Sequence, residues 1–195
     1  MFPVIKICTR TMKKSFLPLL LFLAASAAAQ QNPTDLDKSP MDMSYWPANY
    51  PILKMSGKAT SSPVARIIYS RPQKAGRDIF GGIVGYGQVW RLGANEATEI
   101  EFFKSVKLNG KSVSKGRYTL YAICNADKWT IIVNSDKDIW GLAYNEKKDV
   151  LRADVPVQKS ETSVEALTMY FDSDKNAANL NILWDNAKVV IPFTD

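Results

Sequence analysis

VEALTMYFDSDKNAANLNILWDNAKVVIPF, residues 164–193, decides the fold class. Leu167, Met169 and Phe171 alternate with Thr168 and Tyr170; Leu180, Ile182 and Trp184 repeat the pattern, and Val189, Ile191 and Phe193 repeat it again. Side chains two residues apart share a face only in an extended chain, so this period means strands with one face on a core. Asp185-Asn186-Ala187 reads as the turn between the second and third strands, which makes the stretch a three-stranded antiparallel meander.

The same period runs upstream. Trp129, Ile131 and Val133 share a face in KWTIIVN, and Leu151, Ala153, Val155 and Val157 oppose Arg152 and Asp154. In TEIEFF, Glu99, Glu101 and Phe103 lie opposite Ile100 and Phe102, which turns both carboxylates toward solvent. Asn109-Gly110, between VKL and KSV, is a hairpin signal. A helical period is never sustained for three turns, and only short helices near Ala75–Phe80 or Lys147–Val150 are allowed. Residues 51–195 suffice for one hydrophobic core. The expectation is an all-β domain, an antiparallel β-sandwich of jelly-roll type with about eight to ten strands in two packed sheets.

The N-terminal part reads differently. From Met12, two lysines precede an apolar run from Phe16 to Ala25 and a small-residue cleavage pattern at Ala27–Ala29. This is the form of an export leader, too short in its apolar part for a stable span. Residues 1–29 are therefore expected to be removed near Ala29, with Met1 and Met12 as alternative starts and the product periplasmic or secreted. Cys8 precedes the apolar run, which excludes a lipoprotein anchor. Residues 30–50, polar and proline-punctuated, read as a tether whose Trp46 and Tyr50 dock on the domain.

Composition narrows the chemistry. The net charge of +6 falls to +2 without residues 1–29, 21 basic against 19 acidic groups, so nucleic acid is not an expected partner. With residues 1–29 gone, Cys124 is the remaining cysteine; it alternates with Leu120 and Ala122 and reads as a buried, inert thiol. The chain contains no histidine. That excludes Ser-His and Cys-His catalysis and nearly all catalytic zinc arrangements. Asp136-Lys137-Asp138 and Asp172-Ser173-Asp174 lack the spacing of a calcium loop and read as solvated hairpins. No metal and no cofactor is called for.

Tyr69–Thr98, YSRPQKAGRDIFGGIVGYGQVWRLGANEAT, obeys no period. It holds six of the ten glycines together with Arg71, Arg77 and Arg91. Glycine allows close backbone approach, and arginine suits bidentate recognition of carboxylate or phosphate. One reading pairs these arginines with Asp78, Glu96 and Glu99 to pin a long loop. The other makes the segment a binding surface for a glycan, a cell-envelope component or a protein partner, with Arg71, Arg77, Tyr86, Trp90, Arg91, Asn95 and Glu96 as candidates. A carboxylate-dependent saccharide hydrolase using Glu96 and Asp78 is the enzymatic alternative, and it needs the two carboxyls about 5–9 Å apart. A purely structural envelope protein is the third. Trp129 and Trp184 read as core, whereas Trp90 and Trp140 either cap the ends of the sandwich or offer sugar-stacking faces, with capping the preferred reading.

YSRP, the GR-x-IFG turn, YG-x-VWR and GANEAT, in that order, resemble the signature of DUF2911, a family of unknown function. The similarity continues through VKLNGKSVSKGRYTLYAI, WTIIVN, WGLAYNEKKDVLRADV and LNILWDNAKVVIPF. The resemblance implies an exported all-β domain from Bacteroidetes-type bacteria and supplies no catalytic residue. The family pattern has V-P-Y-G where this chain has Val84-Gly85-Tyr86-Gly87, exchanging a fixed φ for a permissive one.

Overall fold

The computed structural model describes residues 36–174 and 176–195. The expected leader and the start of the expected tether lie outside them. In chain order the elements are β1 (Met41–Trp46), α1 (Tyr50–Met55), β2 (Ala65–Ser70), β3 (Val89–Trp90), β4 (Thr98–Phe102), β5 (Val106–Leu108) and β6 (Lys111–Val113). There follow β7 (Gly116–Cys124), β8 (Lys128–Asn134), a 3-10 turn at Glu146–Lys148, β9 (Asp149–Asp174) and β10 (Ala177–Thr194). Every ladder between these strands is antiparallel, as the alternation predicts.

The strands form one open ten-stranded sheet in the order β1-β2-β4-β7-β8-β9-β10-β5-β6, with β3 beside β7. The antiparallel all-β expectation holds, and in place of two separate jelly-roll sheets the strands are joined into one. The continuity comes from β9: its first half, to Pro156, pairs with β8, and its second half, from Val157, pairs with β10. The sheet folds back so that its first strands face β9 and β10. Trp46 and Phe102 meet Phe171 and Phe193 at ring separations of 5.6–6.4 Å, and the Met169 N–H donates to the Tyr69 hydroxyl at 2.9 Å. Ile67, Ile100, Leu120, Ile131, Ile182 and Ile191 are fully buried in this core.

The reading of residues 185–187 as a turn is corrected. β10 runs straight through, and the irregularity is a double bulge: β9 residues 165–167 stand opposite Trp184 alone, and 160–163 opposite Asn186 alone. Asp185 takes φ 50°, a left-handed conformation that an aspartate tolerates better than a branched residue. The result is two very long strands instead of three shorter ones.

The tether is corrected too, because Met41–Trp46 pairs with β2 along its full length. Its inward face escapes a hydrophobic reading because it is Asp42, Ser44 and Trp46. The first two are satisfied by hydrogen bonds instead of by burial in hydrocarbon: Asp42 accepts from Tyr69 and Arg71, and Ser44 Oγ accepts from the Phe171 N–H. Trp46 is buried, as expected. Asn109 (φ 45°) and Gly110 (φ 77°) form the β5–β6 hairpin turn. The Ala75–Phe80 stretch is not helical; the α-helix of the described residues is α1, with Pro51 in its first turn. Among the described residues no helix is long and apolar enough to cross a membrane.

Candidate functional site

The 71–96 excursion leaves β2 at Arg71-Pro72 and is fastened by backbone pairing, not by the arginine–carboxylate pairs expected for it. Residues 72–74 add themselves to the bulge of β9: the Leu167 N–H donates to Pro72 O at 3.0 Å and the Lys74 N–H to Glu165 O at 2.7 Å. The β9 residues that the bulge frees from β10 are thus the ones that hold the excursion. Its far end is held by β3 against Ile123 and Ala122 of β7, and by the Gly87 N–H on Cys124 O at 2.9 Å. Between these anchors, buried Ile79 and Val84 pin a tight loop closed by the Val84 N–H on Ile79 O at 2.8 Å. Gly85 does not use the left-handed region, whereas Gly87 does, at φ 71°.

The return to β4 is tightly specified. Leu92, fully buried, holds φ 54°, and Asn95 holds φ 58°. The buried Ser70 hydroxyl donates to Ala94 O and accepts from Ala94 N, at 2.7 and 2.6 Å, and Thr98 Oγ1 donates to Leu92 O at 2.8 Å. A buried leucine in a left-handed conformation carries strain that the surrounding contacts must hold in place. Its effect is to set the direction of Arg91 and Gly93 on either side.

The three arginines have different surroundings. Arg71 is committed to the fold: Nη1 pairs with Asp42 at 3.1 Å, Nε donates to Leu167 O at 3.1 Å, and Nη2 donates to Thr168 Oγ1 at 3.0 Å. Arg77 is exposed and held by backbone alone, through Lys74 O at 2.9 Å and Gln73 O at 2.5 Å. Arg91 makes no ion pair among the described residues, and its buried Nε has no hydrogen-bond partner there. Burial pulls its guanidinium below the ordinary arginine value. Its stem is covered by Gly141, where an added Cβ would collide with the Arg91 side chain and lie 2.9 Å from Asn95 O.

Arg77 and Arg91 line one pocket of about 450 Å³, walled by Trp90, Trp184, Gln88 and the Gly85 backbone, with no Asp or Glu in its lining. Trp90 stacks on Trp184 at 5.7 Å and 18° and meets Trp129 edge-on at 5.8 Å, so it is half core and half wall. Ile83, Val89 and Leu142, all exposed, form an apolar rim. Sequence reasoning missed Leu142 and the exposed aliphatics, since single apolar residues in a loop carry no periodic signal. Trp184, read purely as core, also reaches the pocket.

The other candidates scatter. Tyr86 is 48 % exposed and lines a different pocket of about 440 Å³. Glu96 is exposed and borders a pocket of about 230 Å³ with Glu99 and Asp138. Asp78 is exposed and lines neither this pocket nor the arginine pocket, so the two carboxylates weighed for hydrolysis are not brought into one cleft. Glu99 pairs with Arg117 at 3.7 Å. The Asn95 side-chain amide points toward Asp37, at 3.5 Å, and the Asn95 backbone carbonyl accepts from Gly141 N at 3.2 Å. Trp140, preferred above as a cap, is 52 % exposed. The Cys124 thiol is fully buried and its pKa pushed far up by burial, which removes it as a nucleophile. Among the described residues no group of three or more His, Cys, Asp or Glu is arranged to hold a metal ion.

No curated protein and no solved structure matches the chain. The model of the family described as Protein of unknown function (DUF2911) matches residues 54–193, which take in the excursion, β9, all of β10 but Thr194, and the lining of the arginine pocket apart from Ser39. The chain belongs to the DUF2911 family.

Proposed function

We propose that the protein is a non-catalytic binding protein whose arginine pocket takes an anionic group, a carboxylate or phosphate, carried by a glycan, a cell-envelope component or a partner protein. The observation that carries this reading is Arg91: with Arg77 it lines a pocket without a carboxylate, and its buried Nε has no hydrogen-bond partner among the described residues. Desolvating a cation without a partner costs stability, and an incoming anion recovers it. Guanidinium groups match the planar fork of carboxylate and phosphate oxygens. The apolar rim of Ile83, Val89 and Leu142 favours a ligand whose anionic group is attached to an apolar face. The leader-like composition of residues 12–29 supports an exported setting, periplasmic or secreted.

The test is thermal unfolding of the protein in rising phosphate, succinate or glucuronate, at ionic strength matched with chloride. A specific anion raises the melting temperature saturably, by the equivalent of about 2.7 kcal/mol at a hundred times its dissociation constant. Arg91→Gln removes that rise while the variant still unfolds cooperatively. If no anion exceeds chloride, or the Arg91→Gln variant keeps the rise, the reading is wrong.

A further inference from the structure

We propose a second binding site, independent of the arginine pocket, at the β9–β10 bulge: a site for an uncharged, hydroxyl-rich ligand of saccharide type. The cavity there is about 440 Å³, within the range of small-molecule sites, and its lining includes Tyr86, Asn125, Gln158, Lys159, Asp185 and Asn186.

The site is built, not incidental. β10 is otherwise a regular strand, yet at this place it breaks register twice and sets Asp185 at φ 50°. Bulges in long strands re-aim side chains, and such backbone persists only where its surroundings enforce it. The enforcing contacts are visible: Lys74 pairs with Asp185 Oδ1, and Ser163 Oγ donates to the same oxygen at 3.0 Å. Lys74 belongs to the segment stitched to β9, so the excursion and the bulge fix each other. On the facing side, Gly81 (φ 89°) lets the Tyr86 ring lie across the loop; a Cβ there would stand 2.9 Å from the ring.

The lining chemistry selects the ligand class. Asp185 Oδ2 accepts no hydrogen bond among the described residues, and the side chains of Asn125, Gln158 and Asn186 and the Tyr86 hydroxyl make none there. The result is a carboxylate acceptor, three amides that each donate and accept, and one ammonium, Lys159. A carboxylate oxygen and neighbouring amides match adjacent hydroxyls, each of which donates and accepts. An apolar ligand would leave these groups unpaired, and an anion would find here one ammonium without an ion pair among the described residues, Lys159, where the arginine pocket offers two guanidinium groups. The half-exposed Tyr86 ring offers a flat apolar face to the C–H side of a sugar ring.

The test is isothermal titration of the protein with cellobiose, maltose, lactose and diacetylchitobiose, each up to millimolar concentration. At least one binds saturably; Tyr86→Ala and Asn186→Ala, both at exposed positions, each weaken it tenfold or more without changing the circular dichroism spectrum. Arg91→Gln leaves the same binding unchanged, and phosphate does not compete. The proposal is overturned if none of the four binds, if binding survives both substitutions, or if Arg91→Gln or phosphate abolishes it.

Discussion

The β9–β10 ribbon and the 71–96 excursion lie against each other and solve opposite problems. In the ribbon, alternation places Leu167, Met169, Phe171, Leu180 and Ile182 on one buried face, and the backbone satisfies itself along the ladder. In the excursion the backbone is satisfied piecemeal, by the β9 bulge, by β7 and by single side chains such as Ser70 and Thr98. The ribbon buries hydrocarbon on one face and leaves charged side chains such as Lys159 and Asp172 exposed. The excursion holds Arg91 half-buried, with no partner for its Nε among the described residues. Regularity thus marks where the molecule secures its stability, and irregularity marks where the proposed ligand would find its interaction energy.

Substitutions break the comparison at graded strength. Phe171→Ala, in the ribbon, empties the place where Trp46 and Phe193 meet and lowers the unfolding free energy by about 3–5 kcal/mol, read from urea denaturation. Arg71→Met comes next, at about 2–3 kcal/mol by the same measurement, since it removes the clamp from β1 to β9 and leaves Asp42 without its cation. Gly141→Ala costs about 1–2 kcal/mol by crowding Arg91 and Asn95 O, and it weakens anion binding because Arg91 has to move. A loss on the Arg71 scale with anion binding intact would show that Gly141 serves the fold alone.

The junction of the two regions gives a smaller, pH-dependent effect. Lys74 first, then Ser163, hold the Asp185 carboxyl below the ordinary carboxylate range. A carboxyl whose pKa is depressed on folding contributes stability above its unfolded value, near pH 4, and loses it as pH falls through the folded value. Lys74→Met therefore costs about 0.5–1 kcal/mol at pH 7, and the gap to the parent protein narrows in denaturation series carried below pH 4. A gap constant from pH 7 to pH 2 would place the interaction elsewhere.

The sequence makes the ribbon legible and the excursion only locatable. Period two follows from strand geometry, so Trp129, Ile131 and Val155 announce their burial without any tertiary knowledge. Two strand features escape the pattern for a physical reason. β1 turns Asp42 and Ser44 inward because hydrogen bonds to β2 and β9 replace hydrophobic burial, and Asp185-Asn186-Ala187 has turn composition but is a bulge because β9, not β10, supplies the extra residues. In the excursion, composition marks Arg71, Arg77 and Arg91 alike. What separates them is distance in space to Asp42 and Leu167, 29 and 96 residues away from Arg71, which no local pattern encodes.

The central claim is that Arg91 is held for a ligand while Arg71 is held for the fold. The most direct measurement is the unfolding free energy of Arg91→Met, in which the apolar stem is kept and the guanidinium removed, beside that of Arg71→Met in the same buffer. The account predicts that Arg91→Met is as stable as the parent protein or more stable by up to about 1 kcal/mol, because an unpaired desolvated cation has been replaced by a thioether. A loss of about 2 kcal/mol or more, matching Arg71→Met, would contradict it and make Arg91 one more strut of the excursion.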